Sequence, residues 1–404
     1  MRKKPGILLV INDFNVGGAE LFVYRLGIAL QVDYSIFILD LFPDKGDSVF
    51  RQQFIDSGFI LLNRFNELSN LKEKFFWKIN ALFSLIGRKG MYSILKNKYQ
   101  QKKLLRNIKN GDVKIIHSHY FSADTFVRKF LLTKEMKWVM TMHGDYNQSV
   151  YSNMHNEKEL FINTAKLNIN TADALAYVAD VNLDILKEFD LQPKKMKKIR
   201  LGLNQDLNKV NSNNFSDKKD FTFCMVARSN ESKGWGLMIE SFVLLNEKFP
   251  NTKLYCVGPI EGVLEDLSEK FSGHNKIQFT GYTSSPSSYI LVSDVGMLPT
   301  YFEGESSPYS VIEYLSCNKP VIASDKGEIR EMLSISGDIA GIVVQLKEDG
   351  RPSINDLMLA MQKLMQDQLF YDEKVNLTSL AFQKFRMENC KMEYIELYNK
   401  LLID

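Results

Sequence analysis

The sequence predicts an α/β protein built as two doubly wound domains, and three observations carry that expectation. First, 404 residues exceed what a single hydrophobic core usually supports. Second, short β-rich apolar runs, bounded by Gly, Asn, Ser or Asp, recur along the chain, as strands buried on both faces do. Third, longer stretches of helical periodicity separate these runs, which implies right-handed crossovers and parallel sheets.

In the first half the candidate strands are Gly6–Ile11, Tyr34–Leu41, Val113–His117, Trp138–Met142 and Ala174–Val178. In the second half they are Phe221–Val226, Lys253–Val257, Ile277–Thr280, Asp294–Leu298, Pro320–Ala323 and Gly341–Val344. Polar, turn-rich sequence between Gly202 and Lys219 marks the seam. The expected division is 1–205 and 206–385, with a terminal helix over 386–404. That helix is amphipathic, with Met392, Ile395, Leu397, Tyr398 and Leu401 at helical spacing.

Composition excludes several classes. A 45% hydrophobic and 25% charged chain is neither collagen-like, disordered nor membrane-spanning. Cys224, Cys256, Cys317 and Cys390 form no CxxC pair and read as buried reduced thiols. After the basic Met1–Pro5, the apolar run Ile7–Ile11 is too short for the core of a signal peptide. A cytoplasmic protein is expected.

Net charge is only +3, but Glu67–Lys109 carries eleven Lys or Arg against two acids. Within it, Phe75, Phe76, Trp77, Leu82, Phe83 and Ile86 alternate with lysines. The segment 72–109 reads either as a surface for anionic membrane or as a helical insertion packed on its domain with solvated lysines. No nucleic-acid motif accompanies it, so no nucleic-acid partner is expected.

Chemistry in the first half gathers after strands. Gly17-Gly18-Ala19-Glu20 follows the first strand and precedes a helix opening at about Glu20. Such a loop either binds an anion through free amides or makes a tight βα turn. It is not GxGxxG, so a dinucleotide fingerprint is unsupported. His117-Ser118-His119 and Met142-His143-Gly144 stand at strand ends, where doubly wound sheets collect ligands. These histidines would meet a sugar hydroxyl or phosphate, or serve structure. No Cys or acid with metal spacing lies near them in sequence, so no metal is expected.

In the second half, Arg228 and Lys233 share the loop after Phe221–Val226. Two cations so placed would flank a diphosphate and stabilise it as it leaves, or would simply be solvated. The densest segment runs from Pro299 to Cys317, with Glu305 and Glu313 eight residues apart across a small-residue loop and a helix start near Ser310. Glu305 would face a sugar, and Glu313 would accept from both ribose hydroxyls. A solvated acidic loop is the plainer reading, but apolar Val311, Ile312, Tyr314 and Leu315 disfavour it.

This pair, preceded by Pro299-Thr300 and followed by Lys319–Asp325, resembles the E-x7-E region of family 4 glycosyltransferases. Gly17-Gly18-Ala19-Glu20 is similar to their glycine loop, and His119 and His143 to their two histidine stations. Arg228 and Lys233 resemble the diphosphate-binding pair. Gly258 and Phe279–Tyr282, with Gly281 and Tyr282, resemble the loops around the nucleobase. The resemblance implies the GT-B fold, two Rossmann-like domains facing across a cleft, with the terminal helix completing the first. It assigns acceptor binding to the first domain and donor binding to Gly17, Gly18, Arg228, Lys233, Gly281, Tyr282, Glu305, Ser306, Ser307, Ser310, Val311 and Glu313.

There are departures. Glu303-Gly304-Glu305 offers two acids at the start of the motif, and the spacing to Glu313 favours Glu305. Leu201-Gly202 replaces the Asn-Gly that many relatives carry near the linker.

The implied activity is retaining transfer from a nucleotide-diphosphate sugar, with UDP expected ahead of GDP, to a hydroxyl of a glycan or lipid-linked acceptor. Cell-surface polysaccharide or lipopolysaccharide synthesis is the expected setting. The implied chemistry is metal-independent, front-face and without cofactor, and Glu305, His143, His119, Arg228 and Lys233 carry it. A nucleotide-sugar epimerase of the same fold, or a non-catalytic sugar-nucleotide-binding subunit, is the alternative.

Overall fold

The computed structural model describes residues 4–15, 17–42, 44–63, 91–144, 146, 158–204 and 220–403. The aromatic residues Phe75 to Ile86, and most of the turn-rich seam, lie outside the described residues.

The first domain holds β1 (Gly6–Ile11), β2 (Ser35–Asp40), β3 (Ile60–Asn63), β4 (Val113–His119), β5 (Lys137–Met142), β6 (Ala174–Tyr177) and β7 (Met196–Lys198). Its helices are α1 (Gly18–Leu30), α2 (Ser48–Asp56), α3 (Met91–Asn110), α4 (Phe121–Phe130), α5 (Lys158–Thr171) and α6 (Asp184–Glu188). The strands form one sheet in the order β3-β2-β1-β4-β5-β6-β7, every pair parallel.

The second domain contributes β8 (Phe221–Val226), β9 (Thr252–Val257), β10 (Ile277–Gly281), β11 (Val295–Leu298) and β12 (Val321–Ser324). A small hairpin, β13 (Ser334–Ile335) and β14 (Asp338–Ile339), precedes β15 (Gly341–Val344). Its helices are α7 (Trp235–Lys248), α8 (Val263–Lys270), α9 (Ser287–Val292), α10 (Tyr309–Ser316), α11 (Ile329–Leu333), α12 (Ile354–Gln366) and α13 (Gln368–Phe382). The main sheet, again parallel, runs β10-β9-β8-β11-β12-β15. The last helix, α14 (Met387–Ile403), follows.

Both sheets bury both faces, as the continuous apolar runs predicted. All six residues of β1 are buried. Ile7, Leu9 and Ile11 join one apolar cluster while Leu8 and Val10 join the other, because successive side chains of a strand point to opposite faces. The four cysteines are free and buried, matching their apolar surroundings.

β4 runs two residues beyond its expected end. It stays paired with β5 through His119↔Thr141, so Ser118 and His119 join His117 in the strand rather than lying in the loop after it. Hydroxyl partners compensate this burial: the Tyr398 hydroxyl lies 2.7 Å from His117 Nδ1 and the Thr141 hydroxyl 2.6 Å from its Nε2.

The strand order reverses between β1 and β4, and again between β8 and β11. Loops leaving the carboxyl ends of two adjacent strands diverge there, opening a crevice in each sheet. The glycine loop and the His119-Tyr120 segment flank the first crevice. The Arg228–Lys233 loop and the Pro299–Glu305 loop flank the second. Contacts described below bring the two crevices face to face.

The chain crosses between domains twice. It leaves the first domain through Leu203 and returns at Met387, and the two crossings bond to each other: Leu203 N–H donates to the Phe385 carbonyl (2.8 Å) and Met387 N–H to the Leu203 carbonyl (3.1 Å). α14 then docks on the first domain with Met387, Cys390, Tyr394, Leu397, Tyr398 and Leu401 inward. Met392, expected on the apolar face, is instead exposed. Tyr394 takes the inward position, its hydroxyl 3.0 Å from that of Thr141. Lys391–Asp33 (2.8 Å) and Lys197–Glu396 (2.7 Å) tie the helix edges down.

Tyr398→Phe leaves His117 Nδ1 buried without its hydroxyl. The expected loss is about 1–3 kcal/mol of unfolding free energy, read as a lowered urea midpoint at unchanged slope. An unchanged midpoint would mean that α14 is held by packing alone.

Candidate functional site in the interdomain cleft

At the first crevice, α1 begins at Gly18 with Gly17 as its cap residue, and no side chain caps it. The Glu20 carboxyl engages its own backbone N–H, which leaves the Gly18 and Ala19 amides for whatever occupies the crevice. Two close approaches favour small residues here. A Cβ on Gly17 would lie 2.5 Å from Glu20 Oε2, and one on Gly18 3.3 Å from Tyr309 Cβ of the second domain. Glu20 is buried, and its Oε1 accepts from the Tyr120 hydroxyl at 2.5 Å. Burial raises its carboxyl to about 7, against the lowering effect of Tyr120 and of Arg228 across the cleft.

Beside that loop the three histidines form a file from the core to the cleft. The ring centres of His117 and His119 are 4.2 Å apart, those of His119 and His143 5.3 Å. His119 Nδ1 and His143 Nε2 share a hydrogen bond of 3.0 Å, while His119 Nε2 is buried without a partner. Phe22 of α1 packs edge-on against both His119 and His143. Burial in this apolar setting depresses all three: His117 and His143 to about 3, and His119 well below its ordinary value. They are neutral imidazoles at physiological pH, able to donate or accept at a neutral hydroxyl.

In the second crevice, Lys233 Nζ donates to Glu305 Oε2 at 2.7 Å and the buried Thr300 hydroxyl donates to the same oxygen at 2.8 Å. Lys233 also lies over the Phe302 ring, 4.8 Å from its centre. Glu303 points away: its side chain is 66% exposed and pairs with Lys326 at 3.0 Å, whereas the Glu305 side chain is 6% exposed. Of the two acids at the start of the motif, Glu305 is the one turned toward Lys233. Arg228 is exposed on the same loop, whose base is held by Trp235 Nε1 donating to the Arg228 carbonyl (2.9 Å).

Glu313, on α10, faces Arg25 of α1 across the cleft at 3.5 Å. Burial raises the Glu313 carboxyl and Arg25 opposes that shift. The Arg25 guanidinium also stacks 4.8 Å from the centre of the Tyr309 ring, and its second terminal nitrogen is buried without a partner. Nothing in the spacing pointed to Arg25 or to the Glu20–Tyr120 pair. An arginine five residues past Glu20, on the helix that opens from the glycine loop, was the available signal.

The remaining predicted residues fall around these pairs. The Ser306 hydroxyl donates to Asn182 of the first domain at 3.2 Å, and the Ser307 hydroxyl turns toward Met332 sulfur at 3.6 Å. Val311 is fully buried with its N–H bonded to the Pro308 carbonyl, and Ser310 is half-buried on the first turn of α10. Gly281 has a φ of +73°, and Tyr282 beyond it is 52% exposed, close enough to feel Asp47 of the first domain.

Three more contacts fix how the crevices face one another. A Cβ on Gly144, whose φ is +107°, would lie 2.5 Å from the Gly304 carbonyl oxygen. The Tyr309 hydroxyl donates to the Gly202 carbonyl at 2.7 Å. Glu328 accepts from Lys198 and from the Asp180 N–H.

Solved structures with the same architecture span nearly the whole chain. Sucrose-phosphate synthase of Thermosynechococcus elongatus superposes with a TM-score of 0.72 at 17% identity, covering 99% of this chain and 100% of its own. HepE of Anabaena, solved with UDP and glucose, gives 0.75 at 14% identity over 98% and 100%. The chain has the GT-B glycosyltransferase fold.

Residues 208–376, in the second domain, match the family described as glycosyl transferases group 1. An uncharacterized glycosyltransferase of Methanocaldococcus jannaschii is 26% identical over 266 residues, 60% of this chain. The match spans 62% of the archaeal protein's length. Among the described residues of this GT-B chain, no helix is long and apolar enough to cross a membrane. No group of three His, Cys, Asp or Glu among them is arranged to hold a metal ion.

Proposed function

We propose that the chain is a retaining glycosyltransferase of the family 4 type, moving a sugar from a nucleotide-diphosphate sugar to a hydroxyl of a glycan or lipid-linked acceptor. The observation that carries this reading is the Lys233–Glu305 ion pair set in one crevice opposite an uncapped glycine loop in the other. A diphosphate between them meets the α1 amides on one side and Lys233 with Arg228 on the other. As Lys233 turns to the phosphates, it frees Glu305 to accept hydroxyls of the donor sugar.

The departing diphosphate gains negative charge as the glycosidic bond breaks, and fixed cations stabilise that charge where it develops. In front-face transfer the β-phosphate takes the acceptor proton, so no protein carboxylate need become a nucleophile. His143 orients the donor sugar as a neutral hydrogen-bonding group, and His119 holds His143. Glu313 takes the ribose when Arg25 yields it, and Tyr282 lies beside the base. A membrane-associated acceptor would suit the basic segment 72–109.

UDP is the expected nucleotide, a choice to which HepE, solved with UDP and glucose, lends support. Thermal-shift screening against UDP, GDP and ADP tests it. A ligand at a hundred times its Kd stabilises by about 2.7 kcal/mol, so UDP should raise the melting temperature by several degrees and the others by less. No shift with any of the three would sink the donor-site reading. Retention is tested separately, by the anomeric configuration of the first-formed product in proton NMR.

A further inference from the structure

We propose that Glu20 is a proton-coupled positioning residue of the donor site: above neutral pH it is a carboxylate in the free protein and takes up a proton when the nucleoside diphosphate binds. This rests on the reading of the glycine loop as the diphosphate site.

The geometry makes the coupling. Glu20 Oε1 is taken by the Tyr120 hydroxyl, while Oε2 lies over Gly17, where a Cβ would come within 2.5 Å. The carboxyl thus roofs the same loop that offers its amides to the phosphates. Tyr120 itself has a φ of +86°, a costly conformation for a tyrosine, and its ring packs 6.0 Å from that of His143. Its hydroxyl is carried to Glu20 from the end of β4, one hundred residues away in sequence.

The charged and titratable groups facing Glu20 are Tyr120 beyond β4, Asp13 in the loop after β1 and Arg228 from the second domain. His143 stands behind Tyr120 as a neutral ring. Of these groups Arg228 is the cation that favours the Glu20 anion. An incoming diphosphate recruits Arg228 to itself and adds negative charge beside the carboxylate. Both changes act in the same direction, against the anion.

The carboxyl already lies near neutrality in the free protein through burial, so a modest push is enough to protonate it. The proton comes from water or buffer onto Oε2. The neutral acid donates it as a hydrogen bond toward a phosphate oxygen, and it returns to solvent when the nucleotide leaves. Unlike a fixed amide, this donor is present in the complex and withdrawn in the free cleft, which favours product release at alkaline pH.

Isothermal titration calorimetry of UDP into the full chain, in buffers of differing ionisation enthalpy between pH 7.5 and 9, measures the linked proton. This range is chosen because the terminal phosphate, with a pKa of about 6, is already ionised there. The expected wild-type result is uptake approaching one proton and an affinity that weakens by up to about tenfold per pH unit. Glu20→Gln, which mimics the neutral acid, should bind without uptake and with affinity flat across the range. It should also melt higher than wild type at pH 8 and not at pH 4, because the destabilising charge it removes exists only at the higher pH.

Tyr120→Phe removes the hydrogen bond that favours the anion. Its free carboxyl then holds a proton to higher pH, and uptake at pH 7.5 should shrink. UDP binding without proton uptake in wild type, the same uptake in Glu20→Gln, or a wild-type profile in Tyr120→Phe would each overturn the proposal while leaving the donor site standing. Failure of UDP, GDP and ADP alike to bind would overturn both.

Discussion

Lys233→Ala lowers kcat/KM for sugar transfer by about 10²–10³-fold, the usual cost of removing one preorganised group that stabilises developing charge. The loss falls mainly on kcat, because Lys233 is asked to neutralise the departing diphosphate more than the bound donor. A second consequence separates this residue from an ordinary surface lysine. Its side chain is 11% exposed and its partner Glu305 6%. Removing the cation strands a buried carboxylate, at a cost of about 3–5 kcal/mol.

Pairing Lys233→Ala with Glu305→Gln restores much of that stability while transfer stays low. The two readouts therefore part company in the double variant. Steady-state kinetics beside urea melts check both. Wild-type transfer by the single variant would refute the mechanism.

The first domain loses stability steeply on acidification because of the histidine file. His117, His119 and His143 are held neutral in the fold, whereas each takes a proton near pH 6.5 once unfolded. Between that value and about pH 3 the unfolded chain binds up to three more protons than the folded one, so stability rises with pH and falls as pH drops. Each proton contributes about 1.4 kcal/mol per pH unit, and three give roughly 4. Glu20 works the other way, since its raised carboxyl takes a proton in the fold between pH 7 and 4.5 before the unfolded group does, but it is one proton against three.

The stability of an ordinary domain is about 5–15 kcal/mol, so this slope brings unfolding within about one to four units below pH 6.5. Urea melts from pH 7.5 to 5, followed by fluorescence, should show the midpoint collapsing below pH 6. His119→Asn should make the fall shallower by about one proton. A slope of one proton or less in wild type would mean that the ring nitrogens find water in the folded state.

Much of this architecture was legible because buried parallel strands announce themselves. Gly6–Ile11 and Phe221–Val226 appear with the bounds read from the sequence. Besides the two-residue strands of the β13–β14 hairpin, what the sequence did not reveal were β3 and β7, four and three residues long. Both lie at the edges of the first sheet, where half-exposed strands lose the apolar signature. Met392 was misplaced for a different reason: a helix of seventeen residues presents several plausible stripes, and only packing against His117 and Thr141 selects the one with Tyr394 and Tyr398.

At the cleft, the residue types at strand ends and the Glu305–Glu313 spacing were visible in one dimension. Arg25 against Glu313, and Tyr120 against Glu20, were not, because each pair joins separate segments that meet only when the crevices are assembled. Exposure likewise separated Glu305 from Glu303, which sequence distance alone could merely favour.

The two interdomain crossings behave as a single mechanical part. A lone linker would let one domain swivel and twist freely beneath the other. Here Leu203 is laced to Phe385 and Met387 by backbone hydrogen bonds, making a two-ply strap. The two crossings are thereby fastened to each other at one place, beside the base of the cleft. Arg25 and Glu313 meet across the cleft above that fastening.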